Sequence, residues 1–159
     1  MTTALIALGS NIEDRHVHIA RAVAMLREIR STRVVALADA IETEPVNCPP
    51  GSSAFLNTAA TAQTELTAIE LFEELERIER SLGRVRTKRN SPRTIDLDLL
   101  LFGDQIVHLP RLTIPHPRML DRPFVLIPAA QIAPEMIHPL EQITLKAALL
   151  RFDTTEGPK

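Results

Sequence analysis

Two aspartates, Asp96 and Asp98, stand in the most apolar stretch of the chain, IDLDLLLF over Ile95–Phe102. Residues i and i+2 of a strand share a face. The spacing therefore predicts two carboxylates side by side, with Leu100 continuing their row and Leu97, Leu99 and Leu101 turned the other way. A carboxylate pair on an apolar pleat is costly unless something neutralises it. Mg²⁺ would do so, because it takes one or two carboxylates and fills its octahedron with phosphate oxygens and water. The same spacing also fits two solvated aspartates at a strand end, salt-bridged to nearby arginines. Just upstream, Arg84, Arg86, Lys88, Arg89 and Arg93 fall within ten residues with no acid among them. Arginine's planar fork grips phosphate bidentately and steadies charge on a phosphoryl group in transfer. A basic loop feeding a carboxylate strand reads as a site for a metal-chelated polyphosphate.

The rest of the composition narrows the choice. Net charge is −2, and without those five cations 13 basic residues would face 20 acidic ones. Positive charge is thus concentrated where one ligand can meet it. A nucleic-acid patch is the competing reading of such a run, but the chain has no Tyr or Trp to stack bases. There is no GxxxxGK[ST] loop and no GxGxxG loop. No GxSxG motif is present, and the single cysteine, Cys48, lies in a Pro-rich segment. One cysteine forms no internal disulfide and no Cys-based zinc site. The apolar run near the N-terminus, Ala4–Leu8, is too short for a signal peptide or a membrane span. A reducing, cytoplasmic protein is expected.

The elements that must position these groups follow in order. Thr3–Leu8 has strand length and ends at a turn signal, Gly9-Ser10-Asn11. Asn11 or Asp14 is placed to cap the helix after it, in which Val17, Ala20, Val23 and Leu26 recur at helical steps. Ser31–Ile41 reads as one strand, Glu42–Ser53 as a Pro-rich surface loop and Phe55–Thr64 as a strand. Thr67–Leu82 is the clearest helix, with a Thr67/Glu70 capping box, an apolar stripe (Ile69, Phe72, Leu75, Ile78, Leu82) and Gly83 as its stop. After Ile95–Phe102 come a Gly103-Asp104 turn and a short strand near Gln105–His108. The stretch from Pro110 to Pro139 holds seven prolines and reads as loop with one helix near Phe124–Gln131. Leu145–Leu150 reads as a last helical turn, and 153–159 as a frayed tail. The order β-α-β-β-α-β predicts one α+β domain over residues 1–159, a ferredoxin-like antiparallel sheet with helices on one face and C-terminal additions.

With those blocks on the page, GRVR…SPRTIDLDLLLFG followed by RLTIPHPRM resembles the signature of the 6-hydroxymethyl-7,8-dihydropterin pyrophosphokinases of folate biosynthesis. The likeness extends over nearly the whole chain, through GSN after the first strand, FLN in the third and RIE late in the second helix. It implies transfer of the β,γ-diphosphate of ATP to the hydroxymethyl group of a reduced pterin, with AMP released. It implies two Mg²⁺ bound with ATP by Asp96 and Asp98, and Arg84, Arg93 and Asp98 as catalytic residues. Arg86, Arg93, Leu99, Arg111, Thr113, His116 and Arg122 match positions around the ATP. Phe55 and Phe124 match the aromatics that stack on the pterin, Asn57 the amide that reads its edge, and Thr43 and Val46 residues whose backbone does so. Neither nucleic acid nor membrane is an expected partner, and a monomer is expected.

Three positions depart from that pattern. Asn90-Ser91 stand where Trp is common, Glu44 where Pro is, and Phe55 where Tyr is. Two other classes of function remain open to the same residues. One is a ferredoxin-like nucleotide or RNA binder without chemistry. The other is a different Mg-dependent phosphotransferase or nucleotidyltransferase.

Overall fold

The computed structural model describes residues 1–11, 14–43, 54–83 and 95–155. Its centre is an antiparallel sheet in the order β2-β4-β1-β5, with the short β3 also paired to β4. The strands are β1 (Thr2–Ser10), β2 (Thr32–Leu37), β3 (Ile41–Thr43), β4 (Phe55–Thr64) and β5 (Asp96–Phe102). Helices α1 (Arg15–Leu26) and α2 (Ala68–Ser81) connect them. Two small hairpins follow, β6 (Val107–Leu109) with β7 (Leu112–Ile114) and β8 (Ile137–His138) with β9 (Ile143–Thr144). Helices α3 (Pro123–Ile132) and α4 (Leu145–Thr155) complete the chain. No helix among the described residues is long and apolar enough to cross a membrane.

Period-2 alternation sends the side chains of β1, β4 and β5 into two cores. Ala4, Ile6 and Leu8 of β1 join Leu56 and Ala60 of β4 and Leu97 and Leu99 of β5 in one core, closed by Ile19, Val23 and Leu26 of α1 and Leu71, Leu75 and Ile78 of α2. Leu5, Ala59, Leu100 and Leu101 face a second core, closed by Met119, by Val125, Leu126 and Ala129 of α3, and by Leu145 and Ala148 of α4. The C-terminal third therefore covers the sheet face that α1 and α2 leave bare; C-terminal additions were expected, but not where they would pack. The chemical reason lies in β1, β4 and β5 themselves. They are apolar on both faces, and exposing either would leave a large apolar surface in water.

Several local expectations shift. β1 does not stop at Leu8 but runs on through Gly9 to Ser10, paired with both β4 and β5. The strand expected over Ser31–Ile41 is split into β2 and β3. Leu101 does not follow Leu97 and Leu99. The β1–β5 register slips between Leu5, opposite Leu101, and Ile6, opposite Leu99, so Leu100 is an extra residue and Leu101 joins it in the second core. Asp14 stands at the N-cap of α1 with φ 68 and makes no side-chain cap. α4 continues to Thr155, beyond one turn. Of the expected tail, 153–155 thus belong to α4, and 156–159 lie outside the described residues. α2 matches its forecast: Thr67 Oγ1 accepts the Glu70 N–H at 3.2 Å, Glu70 Oε1 accepts the Thr67 N–H at 2.8 Å, and Gly83 follows the helix with φ 112.

Candidate active site

β5 is the edge strand next to β1, and it delivers both aspartates to one cleft of about 760 Å³. The cleft is lined from β1 by Ala7 and Gly9, from β3 by Thr43, from β4 by Phe55 and Asn57, and from α3 by Phe124. Asp96 and Asp98 form part of its wall, together with Arg118 and Arg122. Asp96 is half-buried and Asp98 exposed. A second cleft, of about 270 Å³, is lined by Phe72, Leu97, Leu99, Arg111, Thr113 and His116 among others. Among the described residues, Asp98 is the one that lines both.

The larger cleft owes its shape to strand register. Asn57 faces Gly9 across β1–β4 and Ile41 across β3–β4. Its Nδ2 donates to Thr43 Oγ1 at 3.0 Å, which fixes the carboxamide. A Cβ on Gly9 would come within 3.0 Å of Asn57 Oδ1, so the glycine leaves the room that this amide occupies. Phe124 arrives on α3, which is tied to the β2–β3 link by a reciprocal pair. The Asp39 N–H donates to Gln131 Oε1 at 2.7 Å, and Gln131 Nε2 donates to Asp39 Oδ2 at 2.8 Å. The Arg122 guanidinium lies 5.8 Å from the Phe124 ring centroid, within cation–π range.

His116 belongs to the smaller cleft and is held at both ends. Its main-chain N–H donates to Leu100 O at 2.9 Å, and its Nδ1 accepts the Arg118 N–H at 3.2 Å. Burial pushes its pKa below the ordinary histidine value, opposed by Asp98 and assisted by Arg122 and Arg118. With Nδ1 accepting, the neutral ring carries its proton on Nε2. Arg111 is drawn to α2. It pairs with Glu76, approaches Glu73 at 4.0 Å and lies 5.4 Å from the Phe72 ring centroid.

The structure thus brings Thr43, Phe55, Asn57, Asp96, Asp98, Arg122 and Phe124 to one cleft, and Asp98, Leu99, Arg111, Thr113 and His116 to the other. Val46, Arg84, Arg86 and Arg93 lie outside the described residues, as do Glu44, Asn90 and Ser91. Gly9, Phe72 and Arg118 were not foreseen as cleft residues. Gly9 read as a turn, and Phe72 as one more member of an apolar helix stripe. Arg118 carried a signal, the PR pair directly after His116, that invited attention. Among the described residues no group of three or more His, Cys, Asp or Glu side chains could hold an ion. Two hard carboxylate donors on one cleft wall still fit a divalent ion such as Mg²⁺, whose remaining ligands are substrate oxygens and water.

Two clefts of different lining thus meet at Asp98, one carrying Phe55 and Phe124, the other Arg111 and His116. The family profile described as 7,8-dihydro-6-hydroxymethylpterin-pyrophosphokinase (HPPK) matches residues 5–134. A 2-amino-4-hydroxy-6-hydroxymethyldihydropteridine pyrophosphokinase of Haemophilus influenzae is 38% identical over 143 residues, 90% of this chain and 89% of that one. The Bacillus subtilis protein of the same name is 43% identical over 133 residues, 84% of this chain and 79% of its own. A crystal structure of Plasmodium falciparum HPPK-DHPS superposes with a TM-score of 0.76 at 14% identity, over 96% of this chain and 43% of that one, and speaks for the fold alone. This chain belongs to the 6-hydroxymethyl-7,8-dihydropterin pyrophosphokinase family.

Proposed function

We propose that the larger cleft takes the pterin, the smaller one takes the adenosine end of ATP, and the diphosphate passes between them at Asp98. The chain transfers diphosphate from ATP to 6-hydroxymethyl-7,8-dihydropterin in folate biosynthesis, the reaction for which its relatives are named. The observation that carries the assignment of sites is that, among the described residues, Asp98 alone lines both clefts. A flat ring with a donor–acceptor edge suits Phe55, Phe124 and the fixed Asn57 amide, with Thr43 and Val46 offering main-chain groups. Leu99 has the backbone parity of Leu97 on an edge strand, so its peptide groups are turned outward to the smaller cleft. Such an edge suits a purine.

Asp96 and Asp98 would hold a divalent ion, two Mg²⁺ in our reading. Bound there, the metal would supply charge neutralisation on the phosphate oxygens. The chain's own part is positioning. The pterin hydroxymethyl oxygen attacks the β-phosphorus in line and gives up its proton to water, the bond from that phosphorus to the α,β-bridging oxygen breaks, and AMP leaves. His116 Nε2–H and Arg122 face this region as donors for the phosphate chain. Thr113 and Arg111 stand at its nucleoside end. Arg84, Arg86 and Arg93 bring the guanidinium charge of the basic loop, with Arg84 and Arg93 assisting transfer. The strand order, and an element order that becomes β-α-β-β-α-β when β2 and the short β3 are counted as one interrupted strand, support a ferredoxin-like reading of the sheet, with the second helical layer as its addition.

The test is product identity. Purified protein with ATP, Mg²⁺ and hydroxymethyldihydropterin should release AMP. ADP, or no turnover, would refute the assignment. Asp96→Asn and Asp98→Asn should each lower turnover by roughly 10²-fold or more while the thermal midpoint is kept, as expected when a metal ligand is lost. Near-normal turnover in either would remove that residue from the metal site.

A further inference from the structure

Glu79 is an acid where the helix has no use for one. It lies in the last turn of α2, against the sign of the helix dipole, and is only 8% exposed. Its neighbours on the buried face are Leu71, Leu75 and Ile78. Its carboxyl oxygen Oε2 accepts the main-chain N–H of Leu97 at 2.7 Å. Leu97 is the residue between Asp96 and Asp98.

The position of β5 gives that bond its meaning. β5 pairs with β1 on one side, and among the described residues no strand flanks it on the other. In an antiparallel ladder the N–H groups of alternate residues point away from the partner strand. The Leu97 N–H is one of these, and the Glu79 carboxyl stands in for the missing strand. A second tie lies three residues on, where Leu100 O accepts the His116 N–H at 2.9 Å. Asp98 is thus bracketed by two main-chain anchors on the open edge of the sheet. A one-residue rotation of this segment would turn both carboxylates toward the core and Leu97 into the larger cleft.

We propose that Glu79 is a positioning residue for the Asp96–Asp98 pair. By gripping Leu97 from α2 it holds the first residues of an unsupported edge strand so that both carboxylates face the cleft. The role is that of an outer partner which orients the residues holding a metal. It rests on the assignment of Asp96 and Asp98 to the metal. What Glu79 contributes is an acceptor at a fixed place, which separates it from a residue that only fills space.

The experiment compares Glu79→Met, which fills the space without a strong acceptor, with Glu79→Gln, which keeps an amide oxygen. In ligand-free E79M, hydrogen exchange at the Leu97 amide should quicken at least about tenfold. Its turnover should fall roughly 10–100-fold, the usual range for loss of an outer partner. Affinity for the pterin alone should stay within about threefold, because the larger cleft keeps its own hydrogen bonds. E79Q should stay within about threefold of the parent in all three measurements, since its acceptor remains. A folded E79M with parental Leu97 exchange and turnover would overturn the proposal. So would a pterin affinity that falls as far as turnover, or an E79Q as impaired as E79M. Failure of both variants to fold would overturn it as well, by showing that the acid serves the fold itself. D98N tests the underlying assignment separately. If D98N stays active, the metal assignment fails; if D98N is inactive while E79M is normal, only the role of Glu79 fails.

Discussion

Gly9 and Asn57 show how much of this site rests on single atoms. They face each other in register, and the space a methyl group would need on Gly9 is taken by Asn57 Oδ1, 3.0 Å away. Alanine would suit a strand interior better than glycine, by about 0.5–1 kcal/mol in backbone entropy. The clash falls on the end of a side chain, which can give way. Gly9→Ala should therefore leave the thermal midpoint nearly unchanged while it tilts the amide and strains its bond to Thr43. We expect pterin affinity to drop about tenfold, the worth of one well-made hydrogen bond. Fluorescence titration of the pterin against G9A measures it, and unchanged affinity would show that Asn57 does not read the ring.

At the scale of elements, α2 does two jobs with opposite ends. Its N-terminus is closed by the Thr67/Glu70 box, in which Glu70 is held below the ordinary carboxylate range chiefly by the Thr67 N–H bond. Its C-terminal turn carries Glu79 to β5, and between its ends Phe72 reaches the smaller cleft and Glu76 pairs with Arg111. The two ends are about 20 Å apart along a 14-residue helix. Thr67→Ala should cost about 1 kcal/mol of stability. It should leave turnover and substrate affinities as they were, because the capped end touches neither cleft. Chemical denaturation measures the first and steady-state kinetics the second. A T67A enzyme with altered turnover would mean that fraying reaches Glu79.

At the scale of the whole molecule, the sheet is clasped between two helical layers, and the C-terminal one carries a buried histidine. His138, in the β8–β9 hairpin beside α4, is buried, and its Nδ1 accepts the N–H groups of Leu140 and Glu141 at 3.3 and 3.1 Å. Burial lowers its pKa from the ordinary value of 6.5, against the pull of Glu141. The folded chain thus binds a proton less readily than the unfolded one. This histidine's contribution is intact above about pH 6.5 and is lost as pH falls toward the lowered folded value. His116 shifts in the same sense. Asn at 138 can offer Oδ1 in place of Nδ1 without titrating. His138→Asn should lose less of its thermal midpoint between pH 7.5 and 5.5 than the parent does. Equal losses in the two proteins would clear His138 of the effect.

Local chemistry made much of this protein legible in its sequence. The helix over Thr67–Leu82, the strand Phe55–Thr64 and the aspartate pair follow from periodicity, capping and turn residues, each of which acts within a few positions. The assignment of the chain to its family needed only the order of its motif blocks. Other features depend on pairing between distant segments. No local signal tells that Gly9 continues a strand, because it is the neighbours Asn57 and Asp96 that keep it extended. The bulge that sends Leu101 to the second core is set by how β5 meets β1. Glu79 belongs to the RIE block of the resemblance, but what it holds is hidden until α2 is laid against the edge of β5. A prolines-and-loops reading of the C-terminal third missed a covering layer, since its apolar residues are scattered over Met119, Val125, Leu126, Ala129, Leu145 and Ala148 and converge only on the sheet. The sequence by itself determined which groups are able to do the chemistry, because side-chain type decides what can hold a metal or a phosphate. Tertiary structure decided that two clefts meet at Asp98, because the long-range register of an edge strand places that carboxylate between them.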